Sequence, residues 1–161
     1  MSNLLAICMI GIGATAAMDL WGILRKVLLG IPFPNYGMVG RWLAYMTQRK
    51  FRHDSIAAST PRRGEHFVGW VAHYLIGIAF AWVLVGITGK AWIHNPTLGP
   101  ALIVGVGTVA APLFLMQPGM GAGIASSRTP NPNSAILHSV INHVVFGFGL
   151  YASGRILSLC I

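Results

Sequence analysis

Asp19 places a carboxylate inside an apolar stretch, Leu4–Leu29, that carries no other charge before Arg25. In hydrocarbon such a group is costly unless it is paired, protonated or wetted, so it marks a candidate site. His73 and His143 each lie in another apolar stretch, and Asn142 adjoins the second of them. Acid and imidazole side chains are the usual elements of intramembrane proton and ion paths, because His titrates near neutral pH. Two histidines on two helices are also a ligand pair for haem iron or another metal.

The stretches that hold these residues are long enough to cross a bilayer. Of 161 residues, 55% are hydrophobic and 9% charged, too few charges to cover a water-facing surface. A crossing helix needs roughly 20 apolar residues. Four segments supply them, at about 4–29, 67–88, 98–117 and 135–160. The expected fold is therefore all-α, a single membrane domain over residues 1–161 built as a bundle of four transmembrane helices. Two cysteines without a motif make no redox site, and no nucleophile, metal quartet or phosphate-loop motif points to an enzyme.

The net charge of +8 is an orientation signal rather than a nucleic-acid signal. Eight of the 11 Lys and Arg fall between Arg25 and Arg63, around the first loop, and Arg128 lies in the third. By the positive-inside bias, loops 30–66 and 118–134 face the cytoplasm and both termini face outward. The basic first loop then meets anionic lipid headgroups. Within it, Met38, Val39, Trp42, Leu43 and Met46 recur at helical spacing, which predicts an amphipathic interfacial helix over about 37–50. His53 to Gly64 reads as a loose polar tether.

The third segment is interrupted by Pro112, which removes a backbone donor and should kink the helix. It runs into Gln117-Pro118-Gly119-Met120-Gly121-Ala122-Gly123 and then Arg128. Glycines free the backbone to turn tightly or to point N–H groups at one spot, so Gly119, Gly121, Gly123 and Arg128 form a candidate anion-binding loop. An ordered turn is the plainer alternative.

Two pairs of segments match in order. Gly11-Ile-Gly-Ala-Thr-Ala-Ala17 resembles Gly105-Val-Gly-Thr-Val-Ala-Ala111, and the His73-x3-Gly77 segment resembles His143-x3-Gly147. Two repeated helical hairpins follow, related by an axis along the membrane normal. Gly11, Thr15, Asp19 and Gly22 share one stripe of their helix, and the two histidines share stripes with glycines, where membrane helices approach closely. From the helix rise, Asp19, His73 and His143 lie about 12, 9 and 12 Å from the cytoplasmic ends of their helices.

Three readings of this polar set stand side by side. In one, Asp19 with His73 and His143 belongs to a proton- or ion-linked pathway. Four helices are few for a pore, so this reading expects a homo-oligomer. In the second, no cofactor being otherwise expected, His73 and His143 bind haem b or a metal ion. In the third, the polar groups are hydrogen-bonded cross-links in an accessory or scaffold subunit of a larger membrane complex.

The segments Ala14-Thr15-Ala-Ala-Met18-Asp19-Leu-Trp21, Gly69-Trp70-Val-Ala-His73-Tyr74-Leu-Ile-Gly77 and Met116-Gln117-Pro118-Gly119-Met120-Gly121-Ala122-Gly123, with Ser127-Arg128-Thr129-Pro130 after them, resemble a known family. It is the bacterial domain-of-unknown-function family 2938 of small multi-pass inner-membrane proteins. The resemblance implies an inner-membrane location, with the outward termini periplasmic. It draws attention to Asp19, His73, His143 and the glycine-rich loop, and it implies no activity.

Overall fold

A computed structural model describes residues 2–160. The first helix, α1, is Asn3–Leu29. Ser2 caps it, its Oγ accepting the Leu5 N–H at 3.3 Å. Gly30, at φ 66°, ends it by donating its N–H to the Arg25 carbonyl. Pro32 and Pro34 then keep the chain from re-entering a helix.

The other elements follow in order: α2 Tyr36–Met46, α3 Glu65–Thr88, α4 Ala91–His94, α5 Leu98–Gly107, α6 Gln117–Met120 and α7 Pro132–Ser158. Among the described residues there is no strand. Four segments are long and apolar enough to cross a membrane: α1, α3, Leu98–Met120 and α7. They carry bulky apolar side chains outward, as Leu20 (68% exposed), Phe67 (74%), Ile103 (74%) and Ile156 (67%) show. A water-soluble domain buries such residues, whereas lipid accepts them without cost.

The boundaries differ from the sequence reading in detail. The second span begins at Glu65 rather than 67, the third reaches Met120 rather than 117, and the fourth is Pro132–Ser158 rather than 135–160. The short helix stops at Met46 instead of running to 50. Arg49 adopts a left-handed φ of 60°, the Lys50 N–H reaches back to the Tyr45 carbonyl and the Arg49 N–H to Met46. That double return of N–H groups closes a helix end. Pro112 falls where the sequence placed a break. There Pro112–Met116 forms a π-helical turn that joins α5 to α6.

The contacts gather into two compact units. The first comprises Met1–Phe33, Tyr74–Thr108 and Ile141–Ile161. Its core takes Ile7 and Ile10 from α1, Leu84 from α3, Trp92 and Ile93 from α4, and Phe146 and Leu150 from α7. Glycines set the helix crossings. A Cβ on Gly11 would meet Ile78 Cα at 2.5 Å, and one on Gly105 would meet the Gly147 backbone.

The second unit comprises Pro34–His73 and Val109–Val140. Its small core is Trp42, Tyr45 and Ile56, packed by Met38, Leu43, Met46, Met116 and Met120. Here the polar segment 53–64 is tied down rather than loose. Arg41 donates to both Glu65 oxygens (2.8 and 2.7 Å) and to the carbonyls of Ile56 and Ser59 (3.2 and 2.9 Å). The Tyr45 hydroxyl donates to the Thr60 carbonyl at 3.1 Å, and the Arg62 guanidinium stacks 4.1 Å above the Tyr45 ring.

Candidate functional site

Thr15, Asp19, Gly22 and Arg25 are buried positions of α1, three or four residues apart and so on one stripe. Asp19 is 8% exposed and accepts a hydrogen bond from the Tyr74 hydroxyl at 3.0 Å. Tyr74 is the residue the sequence reading passed over. It stands one place after His73 on α3.

His143, on α7, is 9% exposed. Its Nδ1 lies 3.0 Å from Thr108 Oγ1 and 3.2 Å from the Gly105 carbonyl. Thr108 gives its own hydrogen to Gly105, at 2.7 Å. A carbonyl only accepts, so Nδ1 carries a ring hydrogen. Beside it, the Asn142 Oδ1 is buried without a hydrogen-bond partner among the described residues.

His73 belongs to the second unit. It is half-buried, stacked on Tyr36 at 4.1 Å and 23°, with the Trp70 edge 6.0 Å away. Among their contacts, Asp19 has the Tyr74 phenol, His143 a threonine and a carbonyl, and His73 aromatic rings. Among the described residues, no three His, Cys, Asp or Glu gather as a metal site.

The glycine-rich loop divides its residues by role. Gly119 lies flat against the Trp42 indole, leaving no room for a side chain, and its carbonyl takes the His53 N–H at 3.0 Å. Gly121, at φ 97°, abuts the Asp54 carbonyl. These two are packing positions. Gly123 and Arg128 instead line a cavity of about 650 Å³, together with Lys50, Arg52, His53 and Ser127.

The family whose description is "protein of unknown function (DUF2938)" matches residues 8–157. That range reaches from the second turn of α1 to the penultimate residue of α7. The chain belongs to this family. Among curated proteins and solved structures, none matches it. The four apolar helices suggest a multi-pass membrane protein, and the family description carries no activity.

Proposed function

We propose that this DUF2938 protein is a small inner-membrane transporter or channel component in which Asp19 carries the charge of a proton- or ion-linked path. The observation that supports it is a nearly buried carboxylate within a spanning helix, held by the Tyr74 hydroxyl. On this reading loops 30–66 and 118–134 are cytoplasmic, the termini are periplasmic, and four helices act as part of a homo-oligomer or larger complex. The test is flux of protons or monovalent ions in liposomes. Asp19→Asn keeps the size of the side chain and should abolish flux while insertion and oligomer size stay unchanged. Loss of folding along with flux, or undiminished flux, would sink the proposal.

A second reading is favoured at one place. The His143 Nδ1 bond to the Gly105 carbonyl ties α7 to α5, which fits a packing cross-link in a scaffold subunit. If that role is the whole story, Asp19→Asn and His143→Ala lower stability and neither changes flux.

A further inference from the structure

The cavity of the second unit has cationic walls. Lys50, Arg52 and Arg128 line it against one carboxylate, Asp54, leaving a surplus of two positive charges. A single phosphate monoester dianion carries that charge. The Ser55 and Ser127 hydroxyls lie in the same lining and add donors. Arginine forks match the oxygens of phosphate, and clustered cations in a concave wall focus the field on an anion.

The volume narrows the class further. A cavity of about 650 Å³ is far larger than one phosphate group and falls in the range that accepts small organic ligands. The occupant is therefore a phosphate attached to something, a headgroup or a small polar carrier. Ile124 in the lining and Phe51 beside Arg52 are exposed apolar side chains (62% and 57%), which would suit the glycerol end of a lipid.

Two features show that this wall is built rather than incidental. His53, in the lining, is 7% exposed and its Nε2 is buried without a hydrogen-bond partner among the described residues, while Nδ1 meets Ser59 Oγ at 3.0 Å. Ser59 gives its hydrogen to the Ser55 carbonyl at 3.1 Å, so the Nδ1 end carries a ring hydrogen. A buried polar atom without a partner is uncommon and needs a reason.

The second feature is backbone strain. Among the described residues, three non-glycine residues have left-handed φ: Arg49, Ala125 and Ser126. Arg49 precedes Lys50, and the other two lie between Ile124 and Ser127 of the lining. Such strain persists only where surrounding structure enforces it, and it gathers at ligand sites. Here the buried Ser126 donates to Gln117 Oε1 at 2.8 Å, and the Arg128 N–H donates to the Ala122 carbonyl at 2.8 Å.

We propose that this cavity binds a phosphate monoester, its phosphate held among Lys50, Arg52 and Arg128. The site stands whether or not the protein conducts ions.

The test is binding to the full-length protein in nanodiscs of phosphatidylcholine, with glycerol 3-phosphate as the soluble probe and phosphatidic acid in the disc as the lipid probe. Saturable binding of both probes supports a site that reads the monoester group alone. Binding of phosphatidic acid only supports the headgroup as its source. Arg128→Gln and Lys50→Gln should each weaken binding on the order of tenfold, while Lys90→Gln and Arg155→Gln, outside the cavity, leave it unchanged. Arg128→Lys keeps the charge and should recover part of the affinity, which separates lost contact from lost folding. Binding of neither probe overturns the proposal. So does equal weakening by the Lys90 and Arg155 variants, which would reduce the effect to net charge.

Discussion

Two helix crossings in the first unit use matched residues and differ in what surrounds them. At one, Gly11 of α1 meets Gly77 and Ile78 of α3. At the other, Gly105 of α5 meets Gly147 of α7. In each, a histidine stands four residues before the second glycine. Around the α5–α7 crossing, His143 meets Thr108 and the Gly105 carbonyl. Between α1 and α3, Asp19 accepts from the Tyr74 hydroxyl. Small residues bring helices together without deciding what chemistry they hold. A carboxylate on one pair and not on the other is the asymmetry that packing alone does not require.

The crossings themselves are the most sensitive target. Gly11→Val and Gly105→Val would each drive side-chain atoms into backbone that cannot yield, and overpacking costs about 1–3 kcal/mol and sometimes more. Each should cost about 3 kcal/mol or remove the folded species altogether, read by thermal unfolding in detergent. Gly86 and Gly107 face open space, so their Ala variants should stay close to the parent. If Gly11→Val proves mild while Gly105→Val is severe, the two crossings are not equivalent in packing.

A comparable loss is expected outside the crossings, at Arg41. Its pair with Glu65 leaves the two side chains 12% and 10% exposed. Removing one partner of such a buried pair costs about 3–5 kcal/mol, because the other charge is stranded. Arg41→Ala should fall near the lower end and loosen segment 53–64, read as faster amide exchange there. Unchanged exchange would show that Tyr45 and Trp42 hold the segment without it.

Breaking the polar links separates the crossings more finely. Tyr74→Phe removes a donor to a charged acceptor, worth about 1.5–3 kcal/mol, whereas Thr108→Val removes a neutral link worth about 1 kcal/mol. The larger effect should therefore be at Tyr74. Equal effects would remove the asymmetry on which the proposed role of Asp19 rests.

Composition alone made the four spans and their outward apolar faces legible, since nothing else accommodates so many exposed Leu, Ile and Phe. Asp19 was legible for the same reason, a charge where a span admits few. The Tyr74 donor was not, because periodicity alone does not say which side chain of the facing helix meets the carboxylate. Segment 53–64 looked loose because its order is non-local. The His53 N–H finds the Gly119 carbonyl, and Arg41 finds Glu65, across long gaps in sequence. The anion loop was half legible. Gly123 and Arg128 line the cavity, but Lys50, Arg52 and His53 join them through folding that no local pattern encodes.

The smallest effect contrasts His53 with His143 as buried imidazoles. His53 lies outside the spans, with the Tyr45 ring edge-on at 4.8 Å and Lys50 and Asp54 as its charged neighbours. Burial first, and then the Lys50 charge, hold its pKa below the ordinary 6.5. As pH falls below 6.5 the unfolded chain takes up the proton before the native one does. Its contribution is therefore intact above that pH and declines below it until the native ring also protonates. The stability of the parent against unfolding should fall as the pH drops below 6.5, and His53→Gln should flatten that slope. A phosphate monoester in the cavity would supply the negative charge that burial denies His53, and the slope should then shrink in the parent as well. A slope that survives His53→Gln unchanged would assign the acid sensitivity to another histidine, with His143 the first to replace.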